Sequence, residues 1–293
     1  MAGITQINTI GRWLKQNFGE KVVKLSIDGG FTCPNRDGSI GHGGCIFCSP
    51  EGSGELSSNI KDQISLLSKK WPNVKSYIAY FQSHTNTYAS VEELRKKYYE
   101  ALNTPGMVGI AIATRPDCLP EDVLNLLSEL NEKTFLWVEL GLQTIHGDRI
   151  NRGYTLDVYD KSFTELKKRG IRVVTHLILG LPEESKEDML SSVAYVTKQS
   201  PFGIKLHLMN VIKGSSMETL YPGYIPFDSP EEYINLVCDI IETVPEHITI
   251  HRLTGDVPRK LLIAPTWSYK KRTILNGIAG ELKKRGTHQG SAL

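Results

Sequence analysis

Three cysteines carry the strongest chemical signal in the chain. Cys33, Cys45 and Cys48 stand in the spacing C-x11-C-x2-C within GGFTCPNRDGSIGHGGCIFCSPEGSG. A CxxC pair lets two thiolates reach one centre from a tight turn, and the glycines let the backbone wrap closely around it. Three thiolates can hold three corners of a 4Fe–4S cube and leave one iron open to a ligand. The same donors also suit zinc, with His42, three residues before Cys45, as the fourth ligand. Incidental buried thiols are the remaining reading, and CxxC spacing beside a strand end argues against it. Cys118 and Cys238 lie in other contexts and read as packing residues. Five cysteines, three of them within 16 residues, are too few and too clustered for a secreted disulfide framework. Reduced thiols and a cytoplasmic location are the expectation.

The elements that must position these residues alternate between short apolar runs and helical patterns. Strands are expected at 22–27, 76–82, 108–114, 134–142, 171–180 and 203–211. Helices are expected at 58–71, from the Ser90/Glu93 cap along Leu94, Tyr98, Ala101 and Leu102, after Pro120, and along Tyr159, Phe163 and Leu166 up to Gly170. Further helices are expected from Ser185 to about Lys198, at 230–243 and from about Tyr269 to Arg285. Six strand–helix units of about 30–35 residues predict a parallel α/β sheet. Six suit an open, partial (β/α)6 barrel better than a closed eightfold one. No composition break marks a second domain before residue 245. Residues 1–245 are expected to form the core and 246–293 a basic extension packed on the barrel.

In such sheets chemistry gathers at the C-terminal ends of the strands. Polar residues arrive there abruptly: Asp28, Gln82-Ser83-His84-Thr85, Thr114-Arg115-Pro116-Asp117, Glu139 and Gln143, His176, then His207 and Asn210. Each also has a plainer reading. Arg152 could be a surface ion-pairing residue, Arg115 and Asp117 could pair with each other, and Tyr77, Tyr80 and Phe81 are ordinary core aromatics.

Net charge is +2 but unevenly spread. Arg259, Lys260, Lys270, Lys271, Arg272, Lys283, Lys284 and Arg285 face a single acid, Glu281, over the last 35 residues, while residues 1–258 carry a net of −5. This suggests a polyanion-facing end; a solvated helix is the alternative. If residues 270–285 are one helix, the two basic blocks lie about 20 Å apart, at roughly 1.5 Å rise per residue. Ile274, Leu275, Ile278 and Leu282 would pack it on the barrel. No apolar stretch approaches the roughly 20 residues of a membrane helix, and no secretory signal is evident.

The cysteine motif resembles that of radical S-adenosylmethionine (SAM) enzymes. Its long first gap is similar to the Elongator-like branch. Glu139-Leu140-Gly141-Leu142-Gln143 resembles that branch's fourth-strand signature, Asn151-Arg152-Gly153 the segment beyond it, and His176–Pro182 its fifth-strand motif. The resemblance spans roughly residues 20–245 and is greatest to a compact bacterial group that lacks the acetyltransferase and RNA-binding domains of larger relatives. It implies a 4Fe–4S cluster on Cys33, Cys45 and Cys48, SAM chelated at the open iron, and one-electron cleavage to methionine and a deoxyadenosyl radical. It implies SAM contacts at Ser83, Thr85, Gln143, Arg152 and His176. It also implies an electron donor such as flavodoxin or ferredoxin. The implied substrate is the wobble uridine of tRNA, converted from carboxymethylaminomethyl-uridine towards aminomethyl-uridine, with the eight terminal cations docking the RNA. Two alternatives are a radical SAM enzyme of porphyrin-type small-molecule chemistry and a non-catalytic, zinc-stabilised RNA-binding module.

Overall fold

Alternation along each buried strand sends side chains to two different cores. The computed structural model describes residues 5–147 and 150–293. In chain order the elements are α1 (Ile10–Phe18), β1 (Val22–Ile27), α2 (Ile60–Lys70), β2 (Ser76–Phe81), α3 (Val91–Leu102), β3 (Met107–Thr114), α4 (Glu121–Lys133), β4 (Phe135–Gln143), α5 (Leu156–Lys168), β5 (Arg172–Leu179), α6 (Lys186–Lys198), β6 (Gly203–Leu208), β7 (Val211–Ile212), α7 (Ser216–Leu220), α8 (Pro230–Thr243), β8 (Thr249–Arg252), β9 (Leu262–Ala264) and α9 (Lys271–Arg285). The strands β1-β2-β3-β4-β5-β6-β8 form one curled sheet in that order, every neighbouring pair parallel. This is the expected partial barrel, with helices outside it.

One face of the sheet, including Leu25, Ala79, Ile112, Val138, Leu177 and Leu206, packs on the surrounding helices. The other face lines the lumen and is layered. At its base Val22, Ile78, Ala111, Trp137 and Val174 pack with Ile10 and Leu14 of α1. Trp13 stacks on Phe135 at 5.3 Å and meets Phe202 edge-on at 5.1 Å. Thus α1 plugs the N-terminal end of the barrel. It is capped by the Thr9 side chain and ended by the left-handed Gly19.

Several elements depart from expectation, α1, α7 and β9 among them. The sheet has a seventh strand: β8 pairs with β6 through Gly203↔Thr249 and Ile204↔Ile250. Four residues are too short to show a period of their own. The run expected at 203–211 breaks after Leu208, and β7 turns away to pair antiparallel with β9. The C-terminal helix packs as expected, with Ile274, Ile278 and Leu282 buried.

Both open edges of the half-barrel are covered. Beside β1, Ser58 donates its N–H to Ser26 and accepts from Asp28, both at 3.1 Å. The Gln63 side chain accepts from the Ser26 N–H. Beside β8, Ile250 donates to the Asn8 carbonyl at 2.8 Å. Among the described residues no helix is long and apolar enough to cross a membrane.

Candidate active site

The loop after β1 folds by short turns that bring its thiols to the mouth of the barrel. Arg36 and Asp37 donate backbone N–H groups to the Cys33 carbonyl, Gly44 to that of Asn35, and Cys48 to that of Cys45 at 3.0 Å. Gly44 has φ +81°, and a Cβ there would stand 2.9 Å from the Arg36 guanidinium. This crossing therefore favours glycine for its left-handed conformation. Asn35 ties the loop to the region after β4, donating to the Asn151 carbonyl at 2.6 Å, and its amide lies 3.7 Å from Cys45 Sγ.

All three thiols line a single cavity of about 230 Å³ at the C-terminal ends of the strands. Tyr80, Gln82, His84, Thr85, Arg115, Glu139, Gln143, Tyr154, His176, Lys205, His207 and Arg252 share its walls. Of the residues singled out in the sequence, Cys33, Cys45, Cys48, Thr85, Gln143 and His176 thus come together. Ser83 and Arg152 do not line the cavity. Ser83 is buried, and its hydroxyl has no hydrogen-bond partner among the described residues. The buried Arg152 guanidinium is engaged behind the wall by the carbonyls of Leu142, Thr144 and Tyr154. It also packs over the Tyr154 ring at 4.8 Å. Tyr154 in turn donates to the Gly141 carbonyl and reaches Gln143 Oε1 at 3.1 Å. Gln143 itself is held at φ +65°.

Arg115 does pair with Asp117, at 2.7 Å, but it also stands on the cavity wall 4.0 Å from Cys33 Sγ. Burial pushes the Cys45 thiol up to about 12 and that of Cys48 upward, with the neighbouring thiols adding to the effect. A bound cation reverses that balance and takes the ligands as thiolates. Cys118 and Cys238 are buried elsewhere as packing residues. His42 is absent from the cavity lining; its ring covers Gly38. The Cys3His zinc set therefore does not converge. Among the described residues no group of three or more His, Cys, Asp or Glu side chains is placed to hold a single metal ion. The donor chemistry, three thiols sharing one cavity wall, fits an iron–sulfur cluster with a corner left accessible.

Above the aromatic base the lumen is ionic. Glu139, wholly buried on β4, accepts from Lys205 at 2.7 Å, His176 at 2.6 Å and Trp137 at 3.0 Å, with Lys24 at 3.9 Å. Lys205 also reaches the Tyr80 hydroxyl at 2.6 Å. Burial alone would raise the Glu139 pKa. Lys205, Lys24 and His176 outweigh burial and hold it well below the carboxylate range. Burial, opposed by Glu139, brings Lys205 down to about 7. Burial and then Lys205 bring His176 to about 4, so it donates to Glu139 as a neutral ring. The sequence reading missed Lys24, Lys205 and Arg252; Tyr80, read as a core aromatic, is buried in the core and lines the cavity as well. Their signal is polar side chains at the lumen-facing positions of apolar runs.

Comparison with known proteins decides the family. The model described as "Radical SAM superfamily" matches residues 35–196, and "Radical_SAM C-terminal domain" matches 201–284. The chain belongs to the Radical SAM superfamily. Its similarity to Elongator protein 3 sets it in the Elongator-like branch. It is 31% identical to Elongator complex protein 3 of Danio rerio over 57% of this chain and 31% of that protein. It is 46% identical to "Uncharacterized protein YtqA" of Bacillus subtilis, over 97% of this chain and 91% of that one. It is 37% identical to "Protein YhcC" of Escherichia coli, over 98% and 95%. In structure it resembles the archaeal Methanocaldococcus infernus Elp3, with a TM-score of 0.69 at 19% identity, covering 92% of this chain and 64% of that one. The superfamily brings its cofactors, a 4Fe–4S cluster and SAM.

Proposed function

We infer that this radical SAM enzyme modifies the wobble uridine of tRNA, converting carboxymethylaminomethyl-uridine towards aminomethyl-uridine. The observation that carries the reading is the convergence of three thiols and the strand-end residues on one cavity. Cys33, Cys45 and Cys48 would hold the cluster. When bound, the cluster supplies the electron that cleaves SAM into methionine and a deoxyadenosyl radical. The protein's part is orientation and exclusion of water. Thr85, Gln143 and His176 are the wall residues assigned to SAM. Arg152, set behind that wall, supports it through Tyr154, which reaches Gln143. Arg115, beside Cys33, adds positive charge next to the thiolates. Flavodoxin or ferredoxin is the class of donor this chemistry calls for.

The RNA reading is supported by the Elongator-like branch and by where the first cations fall. Residues 255–257 line the cavity, Ser268 bonds Asn210 at 2.7 Å, and Lys271 pairs with Asp256. Exposed Arg259, Lys260, Lys270 and Arg272 therefore sit on a segment anchored at the mouth. Phosphate contacts there would position the stem-loop while a flipped base enters the lumen.

Two measurements test this function. Anaerobically reconstituted protein should release deoxyadenosine from SAM, and Cys33→Ala, Cys45→Ala or Cys48→Ala should each abolish release together with cluster iron. Cys118→Ala and Cys238→Ala should leave both intact. In a strain lacking the gene, mass spectrometry of tRNA nucleosides should show carboxymethylaminomethyl-uridine accumulating. An unchanged nucleoside profile would refute the substrate.

A further inference from the structure

We propose that Arg252, His207 and Lys205 form a carboxylate-binding subsite for the substrate deep in the cavity, at the edge of the sheet farthest in strand order from the thiol-bearing loop. The identity of the acid rests on the wobble-uridine reading; the subsite itself does not.

Charge balance motivates the assignment. Four cations, Lys24, Lys205, Arg252 and Lys271, share two carboxylates, Glu139 and Asp256. Both acids are already saturated. Glu139 receives Lys205, His176 and Trp137. Asp256 receives Lys271 on both oxygens at 2.5 Å and Arg252 at 3.3 Å. Cations therefore outnumber carboxylates here, and Arg252, 3.3 Å from the Asp256 carboxylate that Lys271 already holds, has the looser pairing of the two.

The second observation is independent. His207 Nε2 is buried without a hydrogen-bond partner among the described residues, although its ring lines the cavity 5.1 Å from that of His176. Buried orphans are uncommon and mark a missing partner. The guanidinium of Arg252 offers a planar fork, which matches a carboxylate's two oxygens. Nε2 of His207 offers one further donor in the appropriate tautomer. The incoming anion would also restore the charge on Lys205, which burial now depresses. An RNA backbone phosphate would meet the exposed rim cations first, whereas Lys205 and His207 lie on β6 inside the lumen. The carboxymethyl group of the proposed uridine supplies a carboxylate on an arm that could enter.

Equilibrium dialysis of full-length protein loaded with cluster and SAM tests this. SAM occupies the position its own carboxylate would take, so that source is removed. The probes are N-methylglycine, 5-carboxymethylaminomethyluridine, 5-aminomethyluridine and inorganic phosphate. The carboxylated nucleoside should bind at least 10-fold more tightly than the aminomethyl one. Arg252→Gln should erase that difference, Arg252→Lys should lose part of it, and His207→Phe should weaken it several-fold, with SAM affinity kept. Lys96→Gln, on exposed α3, should change nothing. If N-methylglycine binds in an Arg252-dependent way while neither uridine binds, the subsite stands and the wobble-uridine substrate falls. If folded Arg252→Gln and Arg252→Lys bind both carboxylates as the parent does, or if phosphate binds as tightly as they do, the subsite is refuted.

Discussion

At the scale of single residues, the lumen histidines make the protein acid-sensitive in a definite window. Burial holds His176 at about 4 and puts His207 and His251 well below the ordinary value. In the unfolded chain each returns to about 6.5. Between those values the unfolded state binds more protons, so stability is complete above about pH 6.5 and falls as pH drops towards 4. Thermal unfolding followed from pH 7 to 4.5 should show that decline, and His207→Phe should make it shallower. An identical slope would mean that His207 is protonated without penalty. Cys33, Cys45 and Cys48 were legible in the sequence because three thiols at fixed spacing need no fold to be noticed. Lys205 and Arg252 were not, because a cation within an apolar run looks like noise until the curled sheet aims it inward.

At the scale of elements, the end of β4 shows how a motif residue can serve a site from behind. The Asn151-Arg152-Gly153 segment resembles that of relatives, and the resemblance implies a SAM contact at Arg152. In the fold the guanidinium donates to the carbonyls of Leu142 and Thr144, at and just past the end of β4, and to that of Tyr154. Removing it strands buried acceptors as well as a packed ring. Arg152→Ala should cost about 3 kcal/mol in denaturant unfolding, with weaker SAM binding following from a displaced Gln143. Unchanged stability with weakened SAM binding would instead mean that the side chain touches SAM. The strands themselves were readable almost to the residue, since parallel strands buried on both faces give unbroken apolar runs. The expected strand at 22–27 is β1 itself. What escaped were α1 and β8, a nine-residue helix and a four-residue strand. Their places are set by packing across the barrel rather than by local pattern.

At the scale of the whole molecule, α9 parts the two basic blocks. Its first turn lies by the mouth, where Lys271 meets Asp256. Its last turn lies by the chain's early residues, where Gln289 bonds Gln6 and Asn8. Arg285 is committed to Asp239, Glu242 and Glu281. Filter binding of tRNA over a range of salt should therefore separate the blocks. Neutralising Arg259, Lys260, Lys270 and Arg272 to Gln should weaken binding and flatten its salt dependence. Changing Lys283 and Lys284 should do neither, and equal effects would mean that the RNA spans the whole helix. The covered edges of the half-barrel have a consequence of another kind. A parallel sheet that stops short of closing offers two rows of backbone groups to any passing strand. Here Ser58 and Gln63 occupy one row and Asn8 the other. The barrel can thus stay unclosed without inviting its own copies to add strands to it.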